Sequence, residues 1–481
     1  MNNSKIWTRD VIEANKENIL LSLKEDPLKR DGLLANFVLQ LSKAQGSLIV
    51  SLDAPWGSGK TFFVKQAKMV IEKNDIDDDL WKRIGANWND EEASKTQDLI
   101  PIYYDAWAND NETDPILSIL YSIAENEENV KGRVNIPKKI NWRKHLTNAF
   151  LFAVKAGFGS TAAAGAKLLK ETKDSWRGPE LLIKYENQRK ANRNLHMTIA
   201  RFFKAIRESY CQSFGNDEKR GEELERKKIV VFIDELDRCR PDFAVRLLER
   251  IKHYADDGHV IFVMSTNLNE LQHMINNVYG EGFDAARYLD RFFDIHMVLP
   301  PVKDYALFSL LGIPQNDMED TALRSIVQYF KMSFREASRY LKWYRMVRFP
   351  ENDLIRQEKQ YGWTLCRQYI FPYMIALKLL NPSRYGAFLS ADLQECEAFS
   401  DFLKSAIPDY IKKYFFSYTE KDTQSEEWNL AKKIQDVLQA LWPIDNTWDG
   451  SIDDSTYRDG NLEVRRSYGH DMLERLSLIA N

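Results

Sequence analysis

Two hydrophobic patterns share this chain. Short runs of consecutive apolar residues alternate with longer stretches in which apolar residues recur every three or four positions. Ser47–Leu52, Leu99–Tyr104, Ile229–Ile233 and Val260–Met264 are of the first kind, with the length and composition of strands buried on both faces. Ile295–Leu299, closed by Pro300 and Pro301, predicts a short final strand. The second kind runs from Arg9 to Ala44, where Ile19, Leu20, Leu23, Leu33, Leu34 and Phe37 keep helical spacing, and again from Phe62 to Lys73. Asp114 and Pro115 offer an N-cap and a first helical position for Ile116–Ala124. The acidic stretch Asp75–Gln97 predicts a surface connection.

Strands separated by helices predict an α/β fold, a parallel sheet whose ligand lies at the carboxyl ends of its strands. The alternation lapses from about Glu125 to Lys227, and beyond Pro301 mostly helices are expected, with loops near Thr419–Glu427 and Ile444–Ser455. The division that follows is an N-terminal helical segment (1–45), a core in two parts (46–124 and 228–301), a helical insertion (125–227) and a largely helical C-terminal region (302–481). A chain of 481 residues exceeds one compact core, so several regions are expected. Its hydrophobic content of 44% excludes wholesale disorder.

The decisive segment follows the first predicted strand. Ala54-Pro55-Trp56-Gly57-Ser58-Gly59-Lys60-Thr61 matches the P-loop pattern of Gly, four residues, Gly-Lys-Ser/Thr everywhere except its first glycine, which is Ala54. Gly57 and Gly59 let the backbone turn its N–H groups inward around phosphates, and the helix start adds partial positive charge. Lys60 is expected to reach the β- and γ-phosphates and the Thr61 hydroxyl to ligate magnesium. Pro55, Trp56 and Ser58 complete the expected nucleotide cradle. The plainer reading, a Gly-Ser turn before an ordinary helix, leaves the flanking strand and helix as coincidence. Ala54 remains a departure that bears on loop shape and affinity.

Ile229–Ile233 ends in Asp234-Glu235, which supplies the carboxylate that a P-loop needs on another strand. Asp234 is expected to hold magnesium through a water, and Glu235 to orient or deprotonate the attacking water. Asp237 and Arg238 read as a local ion pair. The next strand ends in Ser265-Thr266-Asn267, where Asn267 is the candidate γ-phosphate sensor, against a plain turn residue. Arg291 is the first candidate for a cation reaching a neighbouring subunit and Arg287 the second, although surface ion pairs account for most arginines so placed. Arg335 and Arg339 lie four apart on one predicted helix face and could report nucleotide state or cap a solvated surface.

Together these motifs resemble the KAP family of P-loop NTPases. The resemblance rests on Trp56–Thr61, Asp105-Ala106-Trp107, Phe232–Pro241, the helix of Phe243, Leu247, Leu248 and Ile251 with the Val260 strand, and Phe334–Leu341. It covers roughly Asp31 to Tyr344 outside the insertion. Three departures accompany it: Ala54 for glycine, Glu235 where a second aspartate is usual, and Ser265-Thr266-Asn267, which looks closer to AAA+ ATPases. The resemblance implies an ASCE-type core, ATP with Mg2+ as ligand, and an ATPase acting as switch or motor; bacterial members are often plasmid-borne or linked to phage exclusion.

Family members often carry transmembrane helices between the two nucleotide motifs. The corresponding Leu146–Ala166 has Lys155 near its middle and is rich in alanine and glycine, which argues against a span. Its small residues suit close helix packing, in a subunit interface or a decayed hairpin. The basic run Lys138–Lys144 reads first as a solvated basic turn, and residues 138–166 leave contact with acidic lipid, nucleic acid or a protein open. The net charge of −4 and the lack of a DNA-binding motif weigh against a DNA-associated ATPase. Four scattered cysteines argue against a disulfide framework or zinc site, and the first residues lack a signal-peptide core. A cytoplasmic location is expected, with peripheral attachment at the inner face of the plasma membrane as the alternative. An ATPase driving assembly or conformational change is the leading reading; an ATP-bound switch that barely turns over is the other.

Overall fold

A computed structural model of the chain describes residues 13–73, 75–112, 114–130, 178–211, 217–254, 258–302, 304–313, 318–349, 361–407, 426–442, 456–459 and 462–479. The basic run 138–144 and the apolar stretch 146–166 lie outside them. Among the described residues no helix is long and apolar enough to cross a membrane. The chain divides into a unit spanning Glu13–Pro301 and a second containing Val302–Asn481.

The first unit is built on a five-stranded sheet of β1 (Leu48–Asp53), β2 (Leu99–Asp105), β3 (Lys228–Asp234), β4 (Val260–Thr266) and β5 (Ile295–Val298). Their order is β2-β3-β4-β1-β5 and every pairing is parallel. Parallel strands need crossovers, and the helices that supply them cover both faces of the sheet. Side chains alternate between the faces with the period of two that a strand imposes. Val50, Leu52, Val230, Phe232, Ile261 and Val263 pack with α1 (Lys16–Glu25), α2 (Asp31–Lys43) and α3 (Lys60–Glu72). Ile49, Ile229, Val231, Ile233, Phe262 and Met264 pack against the helices Pro115–Val130, Gly178–Ser209, Pro241–Tyr254 and Leu268–Tyr279. One strand, β4, separates β1 from β3, the ASCE-type arrangement of the P-loop α/β class.

Two local expectations are corrected. The single helical stretch expected from Arg9 to Ala44 is broken, within the described residues, between α1 and α2. Asp26 adopts a left-handed conformation with φ 40° and caps α1, Pro27 lacks the N–H to continue it, and the Asp26 carboxylate accepts from the Arg30 amide at 2.7 Å. The acidic segment Asp75–Gln97 is not a plain connection but carries two short helices, Asp78–Ile84 and Asp90–Thr96. Asp77 caps the first, Asn89 and Glu92 form a capping box on the second, and Leu80 and Ile84 are buried beneath the charged surface.

The second unit is mostly helical around its own core, where Tyr373 packs among Tyr329, Phe330, Phe388, Phe399 and Phe402. Tyr344, Trp363 and Trp442 are buried there, as core residues. An antiparallel hairpin, Thr456–Asp459 with Leu462–Arg465, interrupts the helices. Gly362 packs so tightly on it that an added Cβ would lie 1.7 Å from the Glu463 carbonyl oxygen. Gly362→Ala is therefore expected to lower the stability of this unit by roughly 1–3 kcal/mol, read as an earlier thermal transition by calorimetry.

Candidate functional site

The register brings polar residues to the carboxyl edge of four adjacent strands. Asp53 of β1 faces Thr266 of β4, Ser265 faces Asp234 of β3, and Asp234 faces Asp105 of β2. The loop from β1 to α3 emerges at this edge. Positive φ falls at Gly57 (77°) and Gly59 (88°), conformations that a Cβ disfavours. Ala54 is not among the positive-φ residues, so its methyl adds no backbone strain; it is buried, and its amide donates to the Thr266 carbonyl at 3.2 Å. The missing first glycine thus leaves the turn intact. Lys60 is buried, and its Nζ donates to the carbonyls of Ala54 (2.5 Å) and Pro55 (3.3 Å). Burial pushes the ammonium pKa down, while the carboxylates of Asp237, Asp234, Glu235 and Asp53 oppose that shift.

The charged residues of 234–240 each have an identifiable partner. Tyr103 donates to Asp234 Oδ2 at 3.1 Å. Burial raises the Asp234 pKa, and the nearby hydroxyls of Ser265, Thr61 and Tyr103 draw it back. Oδ1 remains buried and without a hydrogen-bond partner among the described residues. Glu235 sits at φ 61°, a left-handed conformation that costs a non-glycine residue roughly 1–3 kcal/mol. Its carboxylate accepts from Thr61 Oγ1 at 3.1 Å and pairs with Arg238. Burial and then Asp234 raise its pKa, against Arg238 and Thr61. The expected local ion pair of Asp237 with Arg238 is therefore replaced by Glu235 with Arg238. Asp237 instead accepts from the Trp56 indole and the Asn267 amide. Arg240 grips Asp110 after β2 through its amide and guanidinium, and Pro241 opens the next helix.

The remaining candidates are more dispersed. Asn267 stands at the end of β4, but its side-chain oxygen caps the following helix by accepting from the Asn269 amide at 3.2 Å. Arg287 and Arg291 are exposed on and just after the helix Ala285–Asp290. Arg335 and Arg339 belong to the second unit, where both are exposed and Arg339 lies 5.8 Å from the Trp343 ring.

Sequence reasoning missed Arg30. Its guanidinium donates to the Ser58 carbonyl inside the loop at 3.1 Å and to the Pro300 carbonyl beyond β5 at 2.8 Å. Burial lowers its pKa to about 10, with Asp26 opposing. No local motif could have marked it, because its partners lie 28 and 270 residues away. Arg30→Met keeps much of the apolar stem and removes the tie, so nucleotide affinity is expected to fall about tenfold, near 1.4 kcal/mol. Equilibrium titration measures it; unchanged affinity would show that the loop holds its shape unaided.

The donor set suits a hard divalent cation. An unpartnered, buried carboxylate oxygen on Asp234 and the Thr61 hydroxyl are the oxygen ligands that magnesium accepts beside phosphate. A strand, a glycine turn, a lysine at the helix start and a carboxylate on the strand beyond β4 define a P-loop NTPase, a nucleotide-binding protein. A model of the KAP family P-loop domain matches residues 33–334, and the chain belongs to that family. A search of curated proteins returned no match.

Proposed function

We propose that this protein binds ATP with magnesium and hydrolyses it to drive assembly or a conformational change of a complex. The observation that carries the reading is the convergence of Lys60 and Thr61, at the start of α3, with Asp234 and Glu235 at the end of β3, from sequence positions over 170 residues apart. Thr61 and Asp234 would hold the cation, which when bound offsets negative charge on the phosphates. Lys60 Nζ, bonded to loop carbonyls, would exchange them for phosphate oxygens without leaving the loop. Glu235, with its raised pKa and fixed backbone, is the group to orient water and take its proton. Exposed Arg287 and Arg291 are available to complete the site of a second copy.

A specific observation favours the alternative of an ATP-bound switch: the Glu235 carboxylate is already engaged by both Thr61 and Arg238. Phosphate release with magnesium and ATP, followed across protein concentration, separates the two. Turnover that rises with concentration supports an oligomerising ATPase; tight ATP binding without turnover supports the switch. Turnover unaffected by removal of magnesium contradicts both.

A further inference from the structure

Asp237 has no part in the phosphate or metal contacts assigned above, yet it is almost fully buried, with 6% of its surface exposed. A buried carboxylate is costly unless hydrogen-bonded. One of its oxygens, Oδ2, accepts two bonds from distant parts of the chain: the Trp56 indole at 2.7 Å and the Asn267 backbone N–H at 3.0 Å. Trp56 belongs to the phosphate loop after β1, Asp237 to the turn after β3, and Asn267 to the helix start after β4. These are the three adjacent strands β3-β4-β1, so a single oxygen staples the ends of all three.

We infer that Asp237 is a positioning residue that sets the shape of the phosphate loop through the Trp56 indole. Trp56 is 46% exposed and sits directly before Gly57, where the backbone is freest to turn. An anchor at that residue restricts the loop on its entry side, as Arg30 does through Ser58 on the other. The Asn267 bond fixes the anchor relative to β4, so the loop and the far wall of the site move together. Because the acceptor is charged, each bond is stronger than a neutral one. Trp56 therefore acts on nucleotide binding through its N–H, beyond any contact of its ring.

The inference rests on the proposed binding of ATP with magnesium, and its test separates the two. Affinity for ATP in magnesium chloride is measured for the native protein, Trp56→Phe, Asp237→Ala, Asp237→Asn and the double variant Trp56→Phe/Asp237→Ala. Trp56→Phe keeps a ring and loses the donor; about tenfold weaker binding is expected. Asp237→Ala, which also strands the Asn267 amide, should lose about thirtyfold, and adding Trp56→Phe to it should change affinity less than about twofold. Asp237→Asn keeps an acceptor oxygen and should bind within about threefold of the native protein. Independent, multiplying effects of the two substitutions, or native affinity in Trp56→Phe, would overturn the inference. If Asp237→Ala does not fold, Trp56→Phe in the Asp237→Asn background must still cost its tenfold.

A native protein that binds no ATP would refute the functional reading instead. The staple itself is then read in ligand-free protein labelled with 5-fluorotryptophan. The Trp56 line, identified by its absence in Trp56→Phe, should shift in Asp237→Ala; an unmoved line would overturn the contact.

Discussion

Glu235→Gln is expected to bind ATP as the native protein does and to release phosphate about 10²–10³-fold more slowly. The amide preserves the shape that fills the left-handed position at φ 61° and can still accept from Thr61. It cannot take a proton, and it cannot form the ion pair with Arg238. Single-turnover phosphate release beside an ATP titration gives both halves of the result. Equal loss of binding and turnover would mean that Glu235 shapes the site without serving as base. Undiminished turnover would remove it from the reaction.

Lys60→Ala carries the second large effect, on binding. The Lys60 ammonium is placed among Asp53, Asp234, Glu235 and Asp237, and these carboxylates would repel a triphosphate without it. Roughly hundredfold weaker ATP binding is expected, near 2.7 kcal/mol, with turnover lost below detection. Removing the side chain also strips the Ala54 and Pro55 carbonyls of their donor. Circular dichroism on the same sample separates a local loss from unfolding. Native affinity in this variant would place the nucleotide elsewhere.

The two central strands β3 and β4 were legible because burial on both faces writes each as an unbroken apolar run. Ile229–Ile233 and Val260–Met264 sit inside the observed Lys228–Asp234 and Val260–Thr266. The loop was legible because Gly57, Gly59, Lys60 and Thr61 answer to one short-range geometry. What escaped has non-local causes. Arg30 and Asp237 derive their places from partners up to 270 and 181 residues away, and no window along the chain contains both ends. The helices within Asp75–Gln97 escaped because most of their residues are polar, and Leu80 and Ile84 are the buried apolar residues of the two, both in the first. Asn267 was read by its position at a strand end, and that position is right. Its side-chain oxygen, however, serves a helix cap, a task that asparagine performs equally well. Ala54 shows the reverse case: a motif position that departs from the pattern but whose backbone never required glycine.

Residues 54–61, with Asp234, would hold a triphosphate together with its metal. Equilibrium titration of the native protein with ATP, in magnesium and again in excess chelator, tests this directly, with Lys60→Ala run alongside. Saturable binding that weakens on chelation and falls about a hundredfold in Lys60→Ala is the predicted result. Absence of binding to the native protein, or identical curves for the two proteins, would contradict it.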